Sequence, residues 1–222
     1  MIEAVIFDID GTLIDSNDFH ARAWVKAFAK FGKEIKFYEA RRQVGKGGDQ
    51  YLPVFLTQRE IKEFGRKTED ARGEIFTRNY LPKIKPFSKV RELFERIKAD
   101  GKRIVLASSA KADELEKFKK IARIEDLVEE ETSADDVEKS KPYPDIFQAA
   151  LEKLGKTNKK NVVVVGDTAY DAEAASKIGL KTIGVLSGGW AASELKSAGC
   201  REVYADVAAL LDNYEKSLIG KR

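Results

Sequence analysis

Short apolar runs rich in valine and isoleucine recur along the chain, and polar residues follow each of them. The clearest runs are AVIF at 4–7, RIVLA at 103–107, NVVVV at 161–165 and KTIGVL at 181–186. Continuous apolar runs of this length are typical of parallel strands that are buried on both faces of a sheet. A fifth run, DLVEEE at 126–131, is a poor strand by itself, but its position between two helical segments predicts a short strand there.

Helical periodicity fills the segments between these runs. In SKVRELFERIKADG, apolar residues recur every three or four positions, and Gly101 ends the pattern. YPDIFQAALEKLG has Pro144 near its start and Gly155 after its end, which is the usual order for a helix. Strands that alternate with helices of this length predict an α/β fold with a doubly wound parallel sheet.

Residues 17–82 break this alternation, because they contain helical patterns and no convincing strand. FHARAWVKAFAKFG places aromatic and alanine side chains at helical spacing, and REIKEFGRKTEDARGEIFTRNYL is typical of one long helix. We therefore expect an all-helical domain at 17–82. It would be inserted into an α/β domain formed by residues 1–16 and 83–222.

Polar side chains follow several of the predicted strands, at the point where each strand ends. They are Asp8, Asp10, Ser108, Ser109, Asp167 and Asp171, together with Lys141 in SKPYPD on a loop that opens a helix. Ligands of open parallel sheets bind beyond the carboxyl ends of the strands, so we expect these residues to converge. Each residue alone has a plainer interpretation, as a turn former, a helix cap or a solvated lysine. Their coincidence at one edge of one sheet favours a functional site.

Three of the carboxylates, those of Asp8, Asp10 and Asp167, predict a magnesium site. Ionised carboxylates at short range repel one another, and a hard divalent cation removes this conflict. Mg²⁺ prefers oxygen ligands and usually takes one or two carboxylates plus a substrate phosphate. The chain has one cysteine and one histidine, and this histidine lies in the helical insertion, so a zinc site is disfavoured.

A carboxylate bound to a metal beside a phosphate can also act as a nucleophile and form an aspartyl-phosphate. A serine hydroxyl, a lysine and backbone N–H groups could hold the phosphate oxygens, and the leaving alkoxide needs a proton donor. Asp8 and Asp10 can both face the phosphate because the chain turns at Gly11. One aspartate would therefore attack while the other handles the proton.

Four segments resemble the motifs of the haloacid dehalogenase (HAD) superfamily, and specifically those of its phosphatases. They are DIDGTLIDS, VLASSA, SKPYPDIF and VVVVGDTAYDAEAA, and their span covers nearly the whole chain. The resemblance implies a Rossmann-like core. It also implies that residues 17–82 are a helical cap that closes over the site and sets specificity.

The resemblance implies a role for each catalytic residue. Asp8 would be the nucleophile and a metal ligand. Asp10 would be the general acid and base, with its backbone carbonyl on Mg²⁺. Ser108 would hydrogen-bond the transferring phosphoryl group, and Lys141 would neutralise charge between Asp8 and the phosphate.

Asp167 would be a metal ligand, and Asp171 would orient the water shell of the metal.

The same resemblance separates the branches of the superfamily. Asp10 argues against a dehalogenase, which lacks this second aspartate, and the length of the chain excludes a P-type ATPase. The relatives that this sequence resembles most are phosphoglycolate-phosphatase-like and β-phosphoglucomutase-like proteins.

The leading prediction is a Mg²⁺-dependent phosphatase that acts on a small phosphorylated metabolite. A sugar-phosphate mutase is the alternative, because mutases carry a histidine placed like His20 and a basic cap loop similar to RRQVGKGGD. GDTAYD favours a hydrolase, since the mutases have a glutamate in place of Gly166. A non-catalytic binding protein on the same scaffold is disfavoured because the catalytic set is intact.

The predicted substrate-binding residues are His20, Arg42, Lys46, Gly47 and Ser109. Glycine lets the backbone approach a ligand closely, and the cations favour an anionic substrate. The alternatives are a packing role for the histidine and a solvated loop around the cations.

Charge and hydropathy narrow the class of protein. The formal charge is 40 − 37 = +3, with lysine and arginine interleaved among acidic residues, so nucleic acid is not an expected partner. No apolar run approaches the roughly 20 residues that span a bilayer, and no signal peptide is visible. We expect a cytoplasmic protein that is a monomer or a small homo-oligomer and does not bind a membrane.

Overall fold

Six parallel strands form a single sheet in the computed structural model, which describes residues 1–221. The strands are β1 (Ala4–Phe7), β2 (Arg103–Ala107), β3 (Glu130–Thr132), β4 (Val162–Gly166), β5 (Lys181–Val185) and β6 (Cys200–Tyr204). Their order across the sheet is β3-β2-β1-β4-β5-β6. The order reverses at β1, which lies between β2 and β4, and the doubly wound α/β fold predicted from the sequence is confirmed.

Four predicted strands agree with the structure to within a residue at each end, but two regions differ. The short strand predicted within 126–131 is present, but it covers only Glu130–Thr132 and so begins four residues after the start of that run. Leu127 and Val128 pack against the core from the preceding turn, which explains their apolar character. The sixth strand, β6, was not predicted. It lies at the sheet edge, where only Cys200 is buried, so its sequence lacks an apolar run.

Eleven α-helices complete the described part of the chain. They are α1 (Asn17–Lys30), α2 (Phe37–Gln43), α3 (Gly48–Phe55), α4 (Gln58–Glu60), α5 (Arg66–Asn79), α6 (Val90–Ala99), α7 (Ala112–Ala122), α8 (Asp145–Lys153), α9 (Ala169–Lys177), α10 (Ala192–Ala198) and α11 (Val207–Asp212). A π-helical turn at Ile61–Gly65 joins α4 to α5, so this long predicted helix is continuous. Within residues 1–221, no helix combines the length and the apolar character needed to cross a membrane.

The sheet is buried on both faces, as its valine-rich strands require. On one face, Val5 and Phe7 of β1 join a large apolar cluster that includes α6 and α7. On the other face, Ala4 and Ile6 pack with α8 and α9. β1 is thereby fixed at the centre of the molecule, and the residue that follows it emerges at the end of the sheet.

Helices α1–α5 occupy the segment that the sequence assigns to a separate domain at 17–82, and we call it the helical segment. It has an apolar cluster of its own, in which Trp24 stacks on Tyr51 with ring centroids 4.2 Å apart. However, Phe76 of α5 joins the main cluster under the sheet. The helical segment therefore packs directly on the α/β part, and its treatment as a distinct domain stays a prediction.

Candidate active site

The centre of the site is Asp8, the first residue after β1. Its backbone N–H donates to the carbonyl of Val165 at 2.9 Å, which extends the sheet by one residue. Its Oδ1 accepts a hydrogen bond from Lys141 Nζ at 2.5 Å, and the same Nζ lies 2.8 Å from Asp171 Oδ1. Lys141 and Asp171 are fully buried and Asp8 is 6% exposed. Two buried carboxylates thus share one buried ammonium group.

A second contact network attaches Asp167 to Asp8. The hydroxyl of Thr12 lies 3.2 Å from Asp8 Oδ2 and 3.3 Å from Asp167 Oδ1. Asn17 Nδ2 donates to Asp167 Oδ2 at 2.9 Å. Gly188 makes room for this carboxylate, because a Cβ at that position would lie 1.6 Å from Asp167 Oδ2. The network fixes both oxygens of Asp167 against the end of β1.

Burial dominates the electrostatics of these carboxyl groups. It raises the pKa of Asp8 to about 7, although Lys141 opposes the shift. Burial, with repulsion from Asp8 and Asp171, holds the pKa of Asp167 well above its ordinary value. Burial alone would lower the pKa of Lys141, but attraction to Asp171 and Asp8 raises it. The cluster therefore sets three carboxyl groups against one ammonium group, which cannot balance their charge when all three are ionised.

This cluster fits a hard divalent cation. Oxygens of Asp8, Asp167 and Asp171 lie within 4.8 Å of one another, and oxygen ligands suit Mg²⁺. Asp171 is already engaged, because its Oδ2 accepts hydrogen bonds from the backbone N–H and hydroxyl of Thr168 at 3.1 and 2.6 Å. Asp8 and Asp167 accept only long contacts of 3.2 and 3.3 Å from the Thr12 hydroxyl on one oxygen each, which a cation could replace, while Asp171 lies 2.8 Å from Lys141.

Asp10 faces away from this cluster, toward the helical segment. Its Oδ1 accepts a short hydrogen bond from Ser16 and lies 2.9 Å from His20 Nε2. The ring of His20 stacks on Phe76 with centroids 3.9 Å apart. Burial opposes the charge of Asp10, but His20 and Ser16 outweigh burial and lower the pKa of this carboxyl. His20, predicted to bind substrate, is therefore also the group that holds Asp10.

A small cavity of about 40 Å³ lies over Asp8 and Asp10. Its other lining residues are His20, Trp24, Gly45, Lys46, Arg72, Ser109, Ala110 and Glu114. Ser108 lies below it, fully buried, and its Oγ accepts a hydrogen bond from the N–H of Ala110 at 3.0 Å. The structure thus brings three of the predicted substrate-binding residues, His20, Lys46 and Ser109, to the cavity.

The other two predicted substrate-binding residues, Arg42 and Gly47, do not line this small cavity, although Gly47 lines a larger cavity beside it. The guanidinium of Arg42 sits 3.3 Å from the centroid of the Trp190 ring and pairs with Glu194. The N–H of Gly47 donates to Ser140 Oγ at 2.8 Å, next to Lys141 in the chain. The basic loop is also less irregular than its composition suggests, because Arg42 lies in α2 and α3 begins directly after Gly47.

Several side chains at the site were not among the predicted residues. Thr12 lies inside the DIDGTLIDS motif, and Asn17 directly follows it, so the sequence did carry a local signal for these two. Arg72 and Glu114 reach the same cavity from helices 42 positions apart in sequence. No local pattern marks that pair, since each residue looks like an ordinary charged position of an amphipathic helix.

Comparisons of the sequence and of the structure with known proteins all identify hydrolases as relatives. A family model described as haloacid dehalogenase-like hydrolase matches residues 5–185. A phosphorylated carbohydrates phosphatase from Thermotoga maritima is 31% identical over 188 residues, which cover 82% of this chain and 84% of that protein. A crystal structure of a hydrolase from Pseudomonas syringae superimposes with a TM-score of 0.87 at 27% identity, covering 96% of this chain and 98% of that one.

One relative is much longer than this chain. The chloroplastic protein SUPPRESSOR OF QUENCHING 1 of Arabidopsis thaliana is 32% identical over 221 residues. The match covers 96% of this chain and 20% of that protein. This chain therefore corresponds to one part of that relative.

Proposed function

Since the chain belongs to the haloacid dehalogenase-like hydrolase family, as its four motifs predicted, we propose that it hydrolyses a small phosphate monoester with Mg²⁺ as cofactor. The observation that carries this proposal is the 2.5 Å contact between Asp8 and Lys141, buried beside Asp167 at the end of the sheet. The name of the Thermotoga maritima relative supports a phosphorylated small molecule as the substrate.

In the proposed reaction, an oxygen of Asp8 attacks the phosphorus atom and the ester P–O bond breaks. In the substrate complex the negative phosphate ester opposes the charge of Asp10, so that its carboxyl group carries a proton, which it gives to the leaving oxygen while Asp8 takes the phosphoryl group. A water molecule then attacks this phosphorus atom while Asp10 accepts a proton from it. The bond to Asp8 breaks, which releases inorganic phosphate. Ser16 and His20 hold Asp10 in position for both proton transfers.

The remaining residues would neutralise or position the negative charges of the phosphoryl group and the carboxylates. Lys141 faces the attacking carboxylate and would draw the negative phosphoryl group toward Asp8, and Ser108 would hydrogen-bond one phosphoryl oxygen. Mg²⁺ held by Asp8, Asp167 and the backbone carbonyl of Asp10 would neutralise the carboxylates and phosphoryl oxygens. Asp171 would act indirectly, because its contact with Lys141 at 2.8 Å holds that ammonium group in place.

We also propose that the helical segment acts as a cap. The cavity of about 40 Å³ over Asp8 and Asp10 has room for roughly one to three water molecules, which is less than the phosphoryl end of a substrate needs. The substrate would therefore enter when the helical segment moves away, about its ends at residues 16–17 and 81–86. Closure would exclude bulk water and strengthen each electrostatic contact at Asp8.

A sugar-phosphate mutase is the second candidate. The contact between His20 and Asp10 favours it, since mutases carry a histidine placed like His20. Gly166 disfavours it, because a Cβ at this position would lie 2.6 Å from Asp171 Cγ. A glutamate at 166 would therefore displace Asp171 from Lys141. Turnover of β-glucose 1-phosphate only with a bisphosphate activator would identify a mutase.

The test of the proposed hydrolase is turnover of p-nitrophenyl phosphate with Mg²⁺ and its loss in EDTA. Asp8→Asn should lower kcat by about 10,000-fold, because the amide has the same shape but is not a nucleophile. Asp15→Asn is the matched control, since Asp15 lies in the same motif but is exposed. A folded Asp8→Asn protein that keeps a tenth of the wild-type rate would contradict the aspartyl-phosphate mechanism.

A further inference from the structure

The catalytic cavity contains an ion pair that the proposed mechanism does not use. Arg72 of α5 and Glu114 of α7 face each other across the boundary between the helical segment and the α/β part. Arg72 Nη1 lies 3.3 Å from Glu114 Oε1 and 3.5 Å from Oε2. Both residues line the cavity together with Asp8 and Asp10, so both can reach a substrate.

Arg72 and Glu114 do not use all of their hydrogen-bonding capacity on each other. Charge-assisted N–H···O bonds are usually about 2.7–2.9 Å long, so both of its contacts are long. Arg72 Nε is buried and has no hydrogen-bond partner among residues 1–221. Buried polar atoms are ordinarily hydrogen-bonded, so an oxygen atom of a ligand in this cavity would supply the missing partner.

The charges of the pair select the kind of ligand. Arg72 can only donate hydrogen bonds, and an ionised Glu114 can only accept them. A hydroxyl group does both, so it can bridge the two side chains. A second phosphate or a carboxylate would be attracted by Arg72 but repelled by Glu114, which is only 6% exposed and poorly screened by water.

A larger cavity of about 480 Å³ lies beside the small one, since Arg72 and Ser109 line both. Its charged lining contains both signs in equal number: the basic residues are Arg66, Arg72 and Lys111, and the acidic residues are Asp49, Glu69 and Glu138. This volume has room for a leaving group of several carbon atoms. Its mixed lining suits a neutral polar group better than a second anion.

We propose that Arg72 and Glu114 bind hydroxyl groups of the leaving group, so that the substrates are polyol or sugar monophosphates. Phosphorylated carboxylic acids and bisphosphates are poor substrates, because Glu114 repels their second anionic group. This inference rests on the proposed hydrolase activity and specifies its substrate class.

Two esters of equal carbon number test the proposal. 2-Hydroxyethyl phosphate carries a hydroxyl where 2-phosphoglycolate carries a carboxylate. The wild-type kcat/KM should favour the hydroxyl ester by about tenfold or more. Glu114→Gln should lower this preference by about fivefold or more, because Arg72 then attracts the carboxylate without opposition. Arg72→Gln should raise the preference, because the charge of Glu114 is then uncompensated.

The opposite directions distinguish recognition from a structural defect, which would change both esters together. Asp113→Asn is the matched control, since this carboxylate lies on the same helix but pairs with Lys117 at the surface. It should leave the preference unchanged. If Arg72→Gln does not fold, Glu114→Gln decides the question.

Three outcomes would overturn the proposal. A wild-type preference for 2-phosphoglycolate would overturn it, and so would an equal preference in wild type and both variants. In these cases, turnover of p-nitrophenyl phosphate would leave the hydrolase assignment intact. Failure of the wild type to hydrolyse any ester in Mg²⁺ would overturn the hydrolase assignment and this proposal together.

Discussion

The end of the sheet and the boundary with the helical segment hold their charges in different ways. At the end of the sheet, Asp8, Asp171 and Lys141 are buried and held by contacts of 2.5 and 2.8 Å. At the boundary, Arg72 and Glu114 are largely buried, but the pair of Arg42 and Glu194 leaves each side chain 41% exposed. The first arrangement is fixed before a substrate arrives. The second can exchange its partners for water when the boundary opens.

Energies follow this difference in burial. Breaking a buried ion pair leaves a charge without solvent or partner, and costs about 3–5 kcal/mol. Exposed partners are rehydrated when they separate, so their pairing contributes little. We therefore expect substitutions at the end of the sheet to change stability and chemistry, and those at the boundary to change binding of the substrate.

The strongest test of the comparison is Lys141→Met, which removes the ammonium group that lies between Asp8 and Asp171. In metal-free protein at pH 8, the free energy of unfolding should fall by about 3–5 kcal/mol, because the buried carboxylates lose their partner. Saturating Mg²⁺ should restore part of this loss by neutralising Asp8. Urea denaturation with and without Mg²⁺ measures both effects.

Lys117→Met is the matched control, because Lys117 pairs with Asp113 on the exposed face of α7. Its urea midpoint should not move. Equal changes in the two variants would mean that the buried pair is no more important than an exposed one, and would break the comparison.

The end of the sheet was largely predictable because strand register determines it. Phe7 pairs with Leu106 on one side and with Val165 on the other. The polar residues that follow each strand must then meet at one level, and apolar runs followed by aspartates are visible in a sequence. The apolar runs do not reveal which role each aspartate has, for example that Asp171 contacts Lys141.

The boundary was less predictable because long-range packing determines it. The sequence left a substrate-binding and a solvated interpretation of the basic loop open, and neither anticipates that Gly47 donates to Ser140, 93 positions later. A Cβ at Gly47 would lie 2.8 Å from Ser140 Cβ, so the glycine is needed for close approach. The meeting of Arg72 with Glu114 likewise depends on how α5 packs against α7, which periodicity within each helix does not specify.

A second prediction uses the titration of the buried carboxylates. Without metal, the pKa of Asp8 is raised from 3.8 to about 7, so the folded state binds more protons than the unfolded state between these values. Stability of the metal-free protein should therefore fall as pH rises from about 4 to 7. Mg²⁺ competes with these protons, so its stabilising effect should increase over the same range.

Thermal unfolding at pH 5 and pH 8 measures this linkage. At about 100 times Kd, Mg²⁺ should contribute about 2.7 kcal/mol at pH 8, or roughly 5–10 °C in Tm, and clearly less at pH 5. Asp167→Asn should lose most of the Mg²⁺ effect at pH 8. A Tm increase as large at pH 5 as at pH 8 would show that Mg²⁺ does not bind at these carboxylates.

The smallest expected effects lie at the boundary and separate Arg42 from Lys46. Arg42 packs on Trp190 and pairs with Glu194, whereas Lys46 lines the catalytic cavity. Arg42→Ala should raise KM about two- to fivefold for every ester, because it weakens only the docking of the helical segment. Lys46→Ala should raise KM unequally among esters, because its ammonium group can contact the substrate.

A panel of phosphate esters measured with both variants gives the ranking that decides this last prediction. Glu194→Gln is the control for Arg42→Ala, since it removes the same pair from the other side and should reproduce the uniform change in KM. A changed ranking in Arg42→Ala would place this arginine among the residues that contact substrate, as the sequence predicted. Arg42 would then be part of the substrate-recognition surface of the boundary, as proposed for Arg72 and Glu114, rather than only a docking contact.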